Sequence, residues 1–180
     1  MGIDHRITKK IAKRFYRKKV LETCTGAGFS TISFAKEASK VITIDINEEN
    51  QSQAKENIRI AGLSDKVNFI LGNSLDNDVI GSLTNINAAF LDPDWAVTGP
   101  DHIYRFKNSN TKPPADLLLE TIFKITKNVA LILPPFIKLE ELSELKDYEI
   151  ERIYLDGECA LVCLYFGNLI RKVGESLLII

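Results

Sequence analysis

An alternation of two periods restricts this chain more than any other feature. Short runs rich in Val, Ile and Leu are separated by segments with helical spacing of their apolar residues. The pattern predicts a helix at about 8–18, strands at 19–24, 41–46, 67–71 and 87–92, and helices at 29–38 and 48–61, with a short one near 77–83. Apolar strands joined by crossover helices belong to a parallel sheet covered by helices on both faces, so the expectation is α/β. Beyond residue 112 the pattern predicts a helix at 114–126, a strand at 128–133 and a short helix at 138–145. Two further strands, 148–155 and 158–166, are joined by Asp156-Gly157, a strong hairpin signal. A seven-stranded, mostly parallel sheet ending in an antiparallel hairpin follows. No repeat or linker divides the chain, which is expected to be one domain over residues 1–180.

Of the 180 residues, 45% are hydrophobic and 26% charged, enough apolar material for a sizeable core without disulfides. Apolar stretches such as Val129–Leu133 fall far short of the roughly 20 residues of a membrane span. The N-terminus lacks the apolar core of a secretory signal, so a cytoplasmic protein without a membrane partner is expected. Cys24, Cys159 and Cys163 contain no Cys-x-x-Cys pair, which argues against a metal site. Charge is unevenly placed. The first 20 residues carry eight Lys or Arg against Asp4 alone, leaving net −8 for the remainder. Such a stretch suits a polyanion such as RNA, or simply a solvated helix face, since Ile7, Ile11 and Phe15 recur at intervals of four.

The first strand runs into Glu22-Thr23-Cys24-Thr25-Gly26-Ala27-Gly28-Phe29-Ser30-Thr31. Glycines let a backbone approach a ligand closely, and a helix N-terminus presents free N–H groups to it. A dinucleotide fingerprint would place a third glycine at Thr31, so that motif is incomplete. Glu22 precedes Gly26 by four residues, at the end of the first strand, where a carboxylate can pair with an ammonium. Asp45 ends the second strand, 19 residues after Gly26, where it can accept both hydroxyls of a ribose. Asn73 follows the third strand, where its side-chain carbonyl can receive an adenine amino group. Alternatively, Asp45 is a helix cap and Asn73 a turn former. An amino-acid head, a ribose and an adenine are the parts of S-adenosylmethionine.

The fourth strand ends in Asp92-Pro93-Asp94-Trp95. This is similar to the [Asp/Asn/Ser]-Pro-Pro-aromatic motif of methyltransferases that modify an amino group conjugated to a ring. Such a nitrogen is a poor nucleophile, because its lone pair is delocalised. A carboxylate and a carbonyl that accept its N–H groups as it pyramidalises assist the attack, while an aromatic ring fixes the base.

With these segments the chain resembles the trimethylguanosine synthase family, RNA cap guanine-N2 methyltransferases of the Rossmann-like class I fold. Val41-Ile42-Thr43-Ile44-Asp45-Ile46, Leu133-Pro134-Pro135 and Tyr165-Phe166-Gly167-Asn168-Leu169-Ile170-Arg171-Lys172 extend the match from about Ile7 to Lys172. The resemblance implies that S-adenosylmethionine is the cofactor. Glu22, Gly26 and Gly28 then hold its methionine part, with Thr25 and Thr31 in the same turn, and Asp45 and Asn73 hold the ribose and adenine. Thr8, similar to a family threonine that opens the first helix, reaches the cofactor, as does Asp92. Trp95 stacks on a guanine-type base of an RNA substrate beside Asp94, and Asp92, Pro93 and Trp95 carry the transfer without metal. The family's second proline is Asp94 here.

Two alternatives remain open at this level: methyl transfer to a small molecule or protein amide, and an RNA-binding homologue that has lost turnover. The loop at about 93–112, with His102, Tyr104, Arg105 and Lys107, is long enough to be a binding loop or lid.

Overall fold

Asp4 opens the first helix: its carboxylate accepts the Arg6 N–H at 2.7 Å, so α1 runs His5–Ala12 and begins three residues earlier than the apolar spacing alone suggests. The computed structural model describes residues 2–95 and 104–180. A 3-10 turn over Lys13–Phe15 follows α1, and Arg17 adopts φ +58 before the first strand. The elements then alternate as the sequence predicts: β1 (Lys19–Thr23), α2 (Phe29–Glu37), β2 (Lys40–Asp45), α3 (Glu48–Ile60), β3 (Val67–Leu71), α4 (Asn77–Gly81) and β4 (Ala88–Leu91). After them come α5 (Ala115–Ile122), β5 (Val129–Leu133), β6 (Tyr148–Leu155), β7 (Glu158–Phe166) and β8 (Gly174–Ile179). The helix expected at 138–145 is reduced to a 3-10 turn, Leu139–Leu142.

The strands form a mostly parallel eight-stranded sheet in the order β3-β2-β1-β4-β5-β7-β6-β8. The chain divides into two compact units, one reaching to Phe90 and one from Leu91 to Ile180. In the first, β1 pairs parallel with β2 and β2 with β3, and the register sets Glu22 beside Thr43 and Asp45 beside Leu71. This register brings the polar ends of successive strands to one edge. The unit also holds an aromatic cluster from three separate elements. Phe34 of α2 meets Phe15 edge-on at 5.0 Å and Phe90 at 4.4 Å between ring centroids, and all three side chains are wholly buried. Ile7 and Ile11 are buried on the same face of α1, as their spacing predicts, whereas Lys9, Lys10 and Lys13 are exposed. Arg14 is the exception among the basic residues, being buried.

In the second unit, β7 runs antiparallel to both β5 and β6. Asp156 and Gly157 both take positive φ, +53 and +91, the mirror-image turn that matches the strand twist. Cys163 is buried within β7, whereas Cys159, beside the hairpin turn, is only half-buried. The eighth strand was not anticipated. It pairs parallel with β6, and one buried carboxylate accounts for its position: Glu149 accepts the amides of Arg171 and Lys172 at 2.7 and 3.3 Å and the Ser176 hydroxyl at 2.7 Å. The chain leaving β7 is thereby turned along β6. Gly167 permits the exit, because a Cβ there would stand 2.5 Å from Asn128 Oδ1 and 2.7 Å from the Lys127 carbonyl oxygen.

Removing the central ring of the aromatic cluster leaves a cavity in contact with two further phenylalanines. Phe34→Ala should lower stability by about 3–5 kcal/mol. Urea unfolding of both proteins checks this, and a loss under 1 kcal/mol would show that the cluster does not anchor α2.

Candidate cofactor and acceptor sites

A carboxylate without solvent contact lies at the centre of the first unit. Glu22 is completely buried, an arrangement that a strand-end acid tolerates only with donors around it. Three hydroxyls supply them: Ser30 Oγ donates to Oε1 at 2.7 Å, and Thr31 and Thr43 donate to Oε2 at 2.5 and 2.7 Å. Burial pushes the Glu22 carboxyl above the ordinary glutamate range, against the pull of those three hydroxyls, and the Asp45 charge adds to the rise. Thr31 therefore has a definite task at the position where a dinucleotide fingerprint would place glycine. Its side chain is fully buried and spans from α2 to β1.

Asp45 organises the opposite side of the turn. Its Oδ2 accepts the Gly26 N–H at 2.9 Å, its Oδ1 accepts the Asn47 N–H at 2.8 Å, and the Asn50 amide stands 3.4 Å from both oxygens. Each oxygen has a single short bond and keeps capacity for another donor. The capping role goes to Asn47, whose side chain accepts the Asn50 N–H and opens α3.

The two glycines of the turn differ in purpose. Gly26, at φ +53, has nothing within 4 Å of where a Cβ would sit, so its backbone faces open space. Gly28, at φ +80, packs against α3: a Cβ would stand 2.9 Å from the Ala54 Cβ. The turn is held further by Asn57, whose amide donates to the Ala27 carbonyl at 2.9 Å, and by the Thr25 to Thr43 hydroxyl contact at 2.6 Å. Ser30, Thr43, Asn50 and Asn57 were not singled out from sequence. Thr43 had a signal, since a hydroxyl inside an otherwise apolar strand pairs with a glutamate in the neighbouring one.

Thr8 and Asn73 are differently placed. Thr8 lies inside α1 and is fully buried, with its hydroxyl 2.9 Å from that of Ser33 and 3.2 Å from the His5 carbonyl. Asn73 is exposed just beyond β3, and its Oδ1 accepts the Leu75 N–H at 2.9 Å.

The acceptor-type segment belongs to the second unit. Asp92 is half-buried, Pro93 buried and Asp94 exposed. The backbone of Asp94 forms a two-way bridge with Lys112: its N–H donates to the Lys112 carbonyl at 2.8 Å and its carbonyl accepts the Lys112 N–H at 2.9 Å. A proline at this position could not donate, which gives the aspartate a local reason. Trp95 is half-buried, and its indole N–H has no acceptor among the described residues. Tyr104 is buried, and its phenol is raised above the usual range by that burial and by the Asp94 charge. Glu141 accepts from Arg105 Nε and from the Phe106 and Lys107 amides at 2.9–3.0 Å, and Lys107 pairs with Glu144. His102 and the middle of that loop lie outside the described residues. Among the described residues no group of acidic, His and Cys side chains could hold a metal, and no helix is long and apolar enough to cross a membrane.

Comparison with known proteins decides the class. A family model described as RNA cap guanine-N2 methyltransferase matches residues 17–169. The chain belongs to that family. That family is one of methyltransferases. Solved structures agree in fold. A protein from Porphyromonas gingivalis W83 described as a methyltransferase is 17% identical with a TM-score of 0.74, covering 93% of this chain, which spans 41% of that one. A Streptococcus mutans protein, described as a methyltransferase and crystallised with SAH, is 13% identical with a TM-score of 0.61, over 93% of this chain and 99% of that one. An rRNA methylase from Streptococcus thermophilus is 15% identical with a TM-score of 0.59, over 92% and 98%.

A carboxyl with a raised pKa contributes stability that is full below the unfolded value and is lost as pH rises through the folded one. Wild type should therefore lose stability relative to Glu22→Gln as pH climbs above the ordinary glutamate value of 4.5. Denaturation midpoints of the two proteins across a pH series give the measurement. Parallel pH profiles would contradict a raised Glu22.

Proposed function

We propose that this methyltransferase acts on the exocyclic 2-amino group of a guanine-type base in RNA. The observation that carries the proposal is Asp92-Pro93-Asp94-Trp95 at the end of β4, inside a region matched by a family of guanine-N2 enzymes. The Streptococcus thermophilus relative, an rRNA methylase by description, supports an RNA acceptor, and so do the exposed Lys9, Lys10, Lys13 and Arg17 near the N-terminus.

The residues of the first unit fit the cofactor. Gly26 has an open face, Asp45 retains acceptor capacity beside it, and Asn73 presents an exposed amide one strand further on. S-adenosylmethionine, when bound, supplies an electrophilic methyl group on a sulfonium. In this proposal Gly26 and Gly28 shape the turn that receives the methionine part, and Thr25 flanks it. Glu22 brings negative charge to that end, while Ser30, Thr31 and Thr43 hold its carboxylate. Asp45 accepts the ribose hydroxyls, and Asn73 accepts from the adenine amine. Thr8 acts through Ser33, steadying α1 against α2.

On the acceptor side, Trp95 stacks on the base and fixes the orientation of its amine. The Asp92 carboxylate and the carbonyl that Pro93 holds outward accept the two N–H bonds as the nitrogen gains positive character. One of those protons then passes to Asp92 or to water. Asp94 ties its loop to Lys112 through the backbone, leaving its carboxylate free to face the substrate.

The decisive test is methyl transfer from labelled cofactor to guanine-containing RNA, capped and uncapped, followed by nucleoside analysis. N2-methylguanosine is the expected product. Label in a protein amide, in a small molecule or in no acceptor would overturn the assignment. Asp45→Ala should weaken cofactor binding by about 1.5–3 kcal/mol, the usual worth of hydrogen bonds to a charged group, as read by calorimetry. Trp95→Ala should lose about a hundredfold in turnover and keep S-adenosylhomocysteine affinity. Wild-type turnover in that variant would remove Trp95 from the site.

A further inference from the structure

We propose that the groove between α1 and α2 binds one nucleotide of a single-stranded RNA substrate, an inference that rests on the RNA reading above. The groove encloses about 510 Å³, within the roughly 300–1,000 Å³ of small-ligand sites. Both helices belong to the first unit, and their contact is fixed beneath the groove by the Thr8 to Ser33 hydroxyl pair. The composition of its walls indicates the kind of ligand. Phe29, the first residue of α2 and the one directly after Gly28, is 58% exposed at the groove although it is among the most apolar side chains of the unit. Lys9 of α1 and Lys36 of α2 line the same groove and are exposed.

An open aromatic face with cations on both sides is what a single strand requires: a platform for one base and charge for the adjoining phosphates. The acids of the groove do not cancel that charge. Asp4 is already bound by the Arg6 guanidinium and amide at 2.7–3.2 Å, which leaves Glu37 against Lys9 and Lys36. The exposed flank of α1 and the 3-10 turn after it continue the positive surface through Lys10 and Lys13, with no acidic residue in either. An apolar ligand would gain nothing from that continuation, whereas a chain of phosphates would.

The probe is a fluorescein-labelled ten-residue oligoadenylate, which contains no guanine and so reports the groove independently of the acceptor base. Anisotropy with the full chain should show binding by wild type and about tenfold weaker binding by Phe29→Ala, in line with the worth of base stacking, while Phe29→Tyr retains it. Lys9→Ala with Lys36→Ala should flatten the log–log salt dependence by about 1.4, roughly 0.7 for each phosphate contact to a single strand. S-adenosylhomocysteine affinity, unchanged in all variants, shows that the turn beside Phe29 is intact. Wild type failing to bind the ten-mer, Phe29→Ala binding like wild type, an unaltered salt slope, or equal binding of an adenylate–uridylate duplex would each overturn the proposal. If guanine methylation persists in a Phe29→Ala protein with undiminished ten-mer binding, the groove assignment fails and the acceptor assignment stands. Phe29-dependent ten-mer binding without guanine methylation has the opposite meaning.

Discussion

A single buried carboxylate determines how the first half of this chain is assembled. Glu22 is placed by β1, but its three hydroxyl partners come from β2 and the first turn of α2, so one ionisable group connects three elements. Removing a charge from water is costly, and the three hydroxyls offset that cost only in part, so burial still raises the carboxyl. The turn between Thr23 and Phe29 then has few conformations to choose from. Its entry is fixed by Glu22 and its middle by Asp45 on the Gly26 amide. Its exit is fixed by Gly28 against Ala54.

That assembly explains why the motif departs from a dinucleotide-binding turn without losing its shape. In such a turn the third glycine lets helix and strand pack closely. Thr31 takes another route, filling the same place with a side chain whose hydroxyl is consumed by Glu22. Asp45 similarly serves two demands. It braces the glycine turn and the start of α3, and each of its oxygens still has room for a ligand donor. A site that is braced before anything binds has less conformational freedom to surrender on binding.

Much of this was legible in the residues themselves. The seven strands from Lys19 to Phe166 follow from β-branched runs, and the hairpin from Asp156-Gly157, because these signals are local. The eighth strand was not legible, since its cause is a glutamate 25 residues before it in β6, and nothing in Gly174-Glu175-Ser176 advertises that partner. Boundaries failed for similarly specific reasons. α1 starts at its Asp4 cap rather than at the first apolar repeat, and Arg14 looked like one more surface cation but is buried. At the glycine turn the sequence marks Glu22, Gly26 and Asp45, yet the donors that hold Glu22 and the Ala27 carbonyl, Ser30, Thr43 and Asn57, are ordinary polar residues whose importance depends on strand register and helix packing. Asp94 read as a departure from its family's proline, and only the backbone bridge to Lys112 supplies a reason for it.

The close approach of Gly28 to Ala54 makes two distant positions mutually dependent. With 2.9 Å between a hypothetical Cβ on one and the existing Cβ of the other, neither can grow unless α3 moves outward. Such a movement would carry Asn57, and with it the hydrogen bond to the Ala27 carbonyl, away from the turn. The width of the gap between α2 and α3 therefore acts as a gauge for the turn. Gly28 is held to glycine both by its φ of +80 and by Ala54, so an engineer seeking to reshape the turn would begin on α3, outside the motif.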